Sequence, residues 1–417
     1  MVASYIESLF PDKPRWPGMP YEEYRRRIDT AKKVLAKHGI DALISFSPTN
    51  WWYYGGWTDP AQMQTDVWRS CMLVLADRDP VALVHGAYLW VLRLTTHVKE
   101  VRWWTETEPW GTSHRQFMPF LLDTVRELGL SGKVIGLETG PHIHTYLSFD
   151  EFKALSEELT GLGAKVVSAD NVIWEQRMVK TPWEIETMRE GCRRACAAVR
   201  TGFEAIKPGV SEVEVHRVFW KAAIENGLWD APYHGTWLCS SSNAREPGGI
   251  SRWLTPPVDR VIQWGDMGIS DSGPTYKGYQ MDFQRNFCVG DPPEKQVKYY
   301  NIAKEAFLET LESIKPGIRA GDIHATADRA LKKRDPQQWI IISFVGHGEG
   351  LINHEPPWLV AGNETVIEPG MVLGLEVGAT DPTLEVVGGM PEDLVLVTEN
   401  GYENLTRHLS HDLWIAK

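Results

Sequence analysis

Apolar residues fall at Tyr24, Ile28, Ala31, Val34 and Leu35 within Tyr21–His38, with charged residues between them. That spacing predicts an amphipathic helix, and Gly39 ends it. Short apolar runs follow. Asp41–Phe46, Ser70–Leu75, Val81–Val84, Lys133–Glu138 and Lys165–Ser168 read as strands, and Gln116–Leu128 and Ser148–Leu159 read as helices. Over the first ~170 residues the two kinds of element alternate, as in an α/β domain of ordinary size. Met1–Pro20 is rich in proline and reads as an arm on the surface or on a partner subunit.

The pattern changes near Trp174. Thr181-Pro182-Trp183-Glu184 carries a helix start: a threonine cap, a proline in the first turn and a glutamate three residues after the cap. A long helix is expected to Lys207, then Pro208-Gly209, then a second helix over Ser211–Asn226. Ile206-Lys-Pro-Gly209 recurs as Ile314-Lys-Pro-Gly317, 108 residues later. The second copy also separates a long helix, from Pro293, from a shorter one over Asp322–Lys333. Each pair leads into a strand-rich segment. A duplicated unit of this kind implies a pseudo-symmetric second domain, with sheet inside and helices outside. Domains are expected at 1–174 and 175–417.

Composition narrows the classes. Hydrophobic residues make up 43% of the 417, an ordinary globular share. No apolar run is long enough to span a bilayer, and the first residues lack a basic flank and apolar core. The expectation is a soluble, cytoplasmic protein that does not bind a membrane. A net charge of −12 argues against nucleic acid as a partner. Five cysteines make no disulfide framework. Cys192 and Cys196 share a helix face without a second pair, so packing is expected of them.

Chemistry concentrates in the second domain. Arg260–Ile269 and Phe283–Val289 read as strands, joined through Ser272-Gly-Pro and Lys277-Gly turns. Asp271 leaves the first strand and Asp282 enters the second, so a hairpin would set two carboxylates on one face. Two such charges repel, and a cation between them removes the conflict. Asp266 is a rival for the first position, although Gly265 before it suggests a buried turn aspartate. Further on, His347 lies in Gly-His-Gly, Glu376 ends an apolar run and Glu392 opens another. A set rich in oxygen with one nitrogen suits a pair of Mn, Fe, Co or Zn ions. Such pairs, ~3.5–4 Å apart, activate water and polarise a substrate oxygen.

These motifs resemble those of the pita-bread metallohydrolases: aminopeptidase P, prolidase, methionine aminopeptidase and creatinase. The family pattern is Asp, Asp eleven residues on, His in Gly-His-Gly, Glu, then Glu-Asp. Here eleven residues separate Asp271 from Asp282, and Glu376 follows His347 by 29. Asp271-Ser-Gly with Tyr276-Lys-Gly-Tyr279 is similar to the aminopeptidase P form, and Met178–Ile185 resembles the family's domain junction. The resemblance implies an N-terminal creatinase-like α/β domain and a C-terminal pita-bread α+β domain. It implies two divalent metal ions on Asp271, Asp282, His347, Glu376 and Glu392, with Glu376 bridging them and handling the proton of the attacking water. It assigns His354, in His-Glu-x-Pro, to the substrate or its oxyanion. It also implies a homodimer in which one chain's small domain closes the other's site.

Two departures stand out. The peptidases of the family carry a histidine shortly before the first aspartate, but Cys239–Gly265 holds none; Arg252 and Trp253 lie near the place. Met390 stands where an arginine often precedes the last glutamate.

The chain has 19 tryptophans. Asn50–Trp57 sits where relatives place the loop that reaches across the dimer, and Trp253 and Trp358 flank the motifs. Trp57, Trp253 and Trp358, with His234 and His354, are the candidates for substrate contacts. Rings around a cleft could cage a small cation, whereas core and interface packing is the plainer use of tryptophan. Three functions are open on this basis: hydrolysis of a C–N bond in a small peptide or amide, a lyase reaction on a small cationic substrate such as dimethylsulfoniopropionate, or binding without catalysis.

Overall fold

The computed structural model describes residues 13–57, 68–105, 113–228, 236–240, 257–338, 343–381 and 387–417. The chain divides into two units, Met1–Arg177 and Met178–Lys417.

In the first unit β1 (Ala42–Ser45), β2 (Cys71–Leu75), β3 (Val81–His85), β4 (Glu100–Trp104), β5 (Val134–Leu137) and β6 (Lys165–Ser168) form one sheet, in the order β4-β3-β2-β1-β5-β6. The first three pair antiparallel, and β5, β6 and β4 add on in parallel. Every residue of β1, β2 and β3 is buried, as a strand covered on both faces requires. Leu121 and Val125 from helix Ser113–Glu127, and Leu155 and Leu159 from helix Phe149–Gly161, share a core with Ile44, Leu73 and Leu83. Helix Tyr21–Lys37 buries all five of its expected apolar positions.

Helix Pro48–Gly55 was not anticipated. Asn50–Trp57 is not an extended loop here; Trp51, Trp52, Tyr53 and Tyr54 are buried within the first unit. A buried carboxylate holds the entry to this helix. Glu138 accepts hydrogen bonds from Ser45 Oγ and Asn50 Nδ2 at 2.6 Å, Phe46 N at 2.8 Å and Ser47 N at 3.0 Å.

The second unit is built twice over. Helices Pro182–Glu204 and Glu212–Glu225 form the first pair, Glu294–Leu311 and Ala320–Arg334 the second. Thr181 and Glu184 cap the first of these reciprocally, as the sequence indicated. The repeated Ile-Lys-Pro-Gly turns behave alike. Gly209 and Gly317 have φ of +90° and +85°, a left-handed conformation suited to glycine. Gly209 N donates to Ile262 O and Gly317 N to Ile367 O, each at 2.9 Å. Ser211 bridges Val261 and, 108 residues on, Arg319 bridges Val366.

After the helix pairs come the strands: β7 (Thr236–Ser240), β8 (Met267–Ser272), β9 (Thr275–Tyr276), β10 (Tyr279–Gln280), β11 (Phe283–Val289), β12 (Gly346–Gly348), β13 (Val372–Glu376), β14 (Ala379–Thr380), β15 (Val387–Gly389), β16 (Glu392–Thr398), β17 (Gly401–Asn404) and β18 (Trp414–Ala416). Two four-stranded sheets result, β18-β11-β8-β7 and β12-β13-β16-β17. Arg285 on β11 ties them together: its buried guanidinium donates to Glu392 O and Asp393 Oδ1, both at 2.6 Å. Cys192 and Cys196 are buried in packing, Cys192 Sγ lying 3.5 Å from Met281 Sδ. Among the described residues no helix is long and apolar enough to cross a membrane.

Candidate metal centre

Each half of the second unit supplies a pair of carboxylates at the end of an antiparallel strand pair. In the first half, β8 and β11 are in register with Asp271 opposite Gln284. Asp282 precedes Gln284 by two, so it lies diagonally from Asp271 on the same face. The link between them is a small β9–β10 hairpin, not one tight turn. In the second half, Glu376 and Glu392 stand directly opposite each other on β13 and β16. His347 on β12 is opposite Gly374. A Cβ at 374 would meet His347 Cε1 at 2.7 Å and Glu392 Oε1 at 3.1 Å. Only glycine there lets the imidazole reach the carboxylates.

Donor atoms gather in three overlapping groups: Asp282, His347 and His354; His347, Glu376 and Glu392; and Asp271, Asp282 and Glu392. Within each group the atoms lie within 4.8 Å of one another. His347 Nε2 is 3.6 Å from both Glu376 Oε1 and Glu392 Oε1, and His354 Nε2 is 3.7 Å from Asp282 Oδ2. Asp282, His347, Glu376 and Glu392 are buried; Asp271 is partly exposed.

The electrostatics call for cations. Burial pushes the Asp271 carboxyl up to about 6. Burial, then the charge of Asp271, pushes Glu376 up to about 8. Asp282 and Glu392 are also driven well up, by burial first and then by their carboxylate neighbours. Burial, then His354, pulls His347 down to about 3, so its ring is neutral and Nε2 offers a lone pair. Among the described residues His347 Nε2 and Glu392 Oε1 are buried without a hydrogen-bond partner. Two acceptor atoms facing each other in this way repel, and a divalent cation between them would satisfy both. The residues therefore fit a metal site.

Comparison with known proteins agrees. The family model "Metallopeptidase family M24" matches residues 186–399, and "Creatinase/Prolidase N-terminal domain" matches residues 27–179. The chain belongs to metallopeptidase family M24. This M24 chain is a metal-dependent hydrolase. It is 29% identical to a Xaa-Pro dipeptidase of Pyrococcus furiosus over 384 residues, 92% of this chain and 98% of the relative. In fold it is similar to a prolidase from Thermococcus sibiricus, with a TM-score of 0.78 at 22% identity, covering 94% of this chain and 99% of the other. A dipeptidase PepE from Mycobacterium ulcerans gives 0.76 at 23% identity, over 95% and 99%.

The other candidates in the M24 chain divide clearly. His354 is in the cluster, its ring centroid 4.1 Å from that of His347 and its side chain 40% exposed. Trp358 lies beside both, 6.1 Å from His354 and 6.3 Å from His347 between centroids. Trp57 is different: it is 1% exposed and stacks on Trp51 at 4.4 Å. Its ring is taken up in the packing of the first unit. His234 and Trp253 lie outside the described residues. Asp266 is no ligand in these groups. It is the buried turn aspartate, bound by Arg260 at 2.6 and 2.9 Å and by Gln263 N at 2.8 Å. That turn also explains why β8 begins at Met267 and not at Arg260.

Sequence reasoning passed over four neighbours of the centre. Asn353 hydrogen-bonds Asp282 and draws its pKa down against the larger effect of burial. Lys180 and Glu355 form a buried pair at 3.0 Å beside the His354 turn. Glu349, in Gly-His-Gly-Glu-Gly, is buried two residues past His347. Glutamates so close to a histidine motif were a signal, but sequence does not say which of them face inward.

Proposed function

We propose that the chain hydrolyses a C–N bond of a short peptide, with two divalent cations held by Asp271, Asp282, His347, Glu376 and Glu392. The observation that carries the reading is the convergence of Asp282, Glu376 and Glu392 on one neutral imidazole whose Nε2 has no hydrogen-bond partner among the described residues, with Asp271 joined to the cluster through Asp282 and Glu392. The oxygen-rich donor set favours Mn, Fe, Co or Zn. Bound there, such a pair supplies an acidified water and polarises the scissile carbonyl.

The chain's own groups do the rest. Glu376, with Oε1 3.6 Å from His347 Nε2, takes the proton of the attacking water and passes it to the leaving nitrogen. His354 is partly exposed and held neutral by burial, so its Nε2 is placed to orient the substrate carbonyl. The ring of Trp358 walls the same side and keeps water from the imidazoles. His234 and Trp253 are assigned to the substrate by sequence alone. The homodimer is likewise carried by the resemblance.

Several relatives are named Xaa-Pro dipeptidases, so Xaa-Pro dipeptides are the first substrates to offer. Protein stripped of metal and reloaded with Mn2+ is expected to release free proline from them. No turnover on these or on other dipeptides and small amides, with the metal bound, would overturn the reading. Release of a volatile sulfide from dimethylsulfoniopropionate would replace it by the lyase.

A further inference from the structure

We infer that Glu349 is a positioning residue that keeps both imidazoles of the centre in place, an inference that rests on the metal-centre reading above. Glu349 is 0% exposed. Its main-chain N–H donates to Val372 O at 3.0 Å, which fixes it against the start of β13. Its Oε2 lies 3.5 Å from His347 Nδ1 and accepts from the His354 main-chain N–H, also at 3.5 Å. One carboxylate oxygen thus addresses the ligand histidine and the substrate-side histidine together.

Each contact has a job. On the Nδ1 side of His347 stand Gly348 O at 3.0 Å and the Glu349 carboxylate. Gly348 O accepts the ring proton on Nδ1, the Glu349 carboxyl group closes the same side of the ring, and Nε2 is left as the donor toward a cation. His354 has φ of +63°, a conformation uncommon outside glycine. Its N–H is held by Glu349, and the next residue closes the turn through Glu355 N to Gly348 O at 3.0 Å.

The other oxygen of Glu349 shows why this is more than packing. Oε1 is buried and has no hydrogen-bond partner among the described residues. A buried carboxylate left half-satisfied destabilises a fold. Leucine would occupy a similar volume without that cost. A carboxylate at 349 is therefore explained by what it does to the two histidines, and not by what it does for the core.

The test separates affinity from stability. Chelator-stripped wild type, Glu349→Leu and Glu349→Gln are titrated with Co2+, followed by visible absorption, and their metal-free Tm values are compared. Glu349→Leu is expected to bind Co2+ roughly 10–100-fold more weakly, with a metal-free Tm equal to or above wild type. Glu349→Gln keeps the volume and one acceptor oxygen but replaces the other oxygen with an NH2 group, and a loss of roughly tenfold is expected; it decides the matter should the leucine variant not fold. Wild-type affinity in either variant overturns the inference while leaving the metal centre standing. So does a weaker affinity matched by a fall in metal-free Tm, the mark of a structural role. Wild type that takes up no Co2+ overturns the metal-centre reading and this inference with it.

Discussion

At the scale of single residues, the centre is a set of groups that disfavour one another until a cation arrives. Asp271, Asp282, Glu376 and Glu392 all hold protons more tightly than a free carboxylate, chiefly through burial. Asp282→Asn removes a charge from that cluster. Even outer partners of a metal site are worth about 10–100-fold in affinity or activity, so loss of a proposed direct ligand is expected to cost at least about 100-fold in turnover. The metal-free variant is expected to melt no lower than wild type, because repulsion has been relieved. Parallel activity and calorimetric measurements check both halves. The pH dependence has a definite sign. Folded-state pKa values of about 6 for Asp271 and about 8 for Glu376 lie above their ordinary values. The metal-free fold therefore binds more protons than the unfolded chain between those limits. Its stability is fully present below the ordinary carboxylate range and is lost as pH rises toward 8. Denaturation of stripped protein at pH 5 and pH 8 is expected to show the decline, and metal-loaded protein to show far less. The spacing of Asp271 and Asp282 made those two legible in the sequence. Glu349 was not, since a buried glutamate and a solvated turn glutamate are spelled the same way.

At the scale of elements, the site is made by strand register. His347 reaches Glu392 across Gly374 because that position has no side chain. Gly374→Ala is expected to displace the imidazole and weaken divalent-metal binding by roughly tenfold or more, with far-ultraviolet circular dichroism unchanged. Metal titration beside the spectrum checks it. Helices with clear apolar spacing were legible, as Tyr21–Lys37 shows. Pro48–Gly55 was not, because Trp, Tyr and Asn in succession leave no polar face to mark a period. The start of β8 was misplaced for a related reason. Arg260 through Asp266 reads as part of a strand, but the Arg260–Asp266 ion pair folds it into a turn.

At the scale of the whole molecule, the proposed ligands come from both halves of a duplicated unit and from strands far apart in sequence. Divalent metal should then act as a staple on the folded state. A ligand that binds only the native form at 1,000 times its Kd adds about 4 kcal/mol. Stripping the metal is expected to lower Tm by several degrees or more, and readdition of Mn2+ to restore it. An unchanged Tm on stripping would mean that the ligands are not bridged. Scanning calorimetry with and without chelator gives the answer.

The sequence by itself determined the family, the two kinds of domain and the repeated helix-pair unit, and it named the acids and the histidine that the fold brings together. Those are written in local periodicity, in a repeated turn and in fixed intervals, which do not depend on distant partners. Only the tertiary structure decided which acids face inward, that Asp266 belongs to Arg260, that Trp57 stacks on Trp51, and that Glu349 stands behind both histidines. Such facts arise from contacts between strands brought side by side, and no linear spacing encodes them.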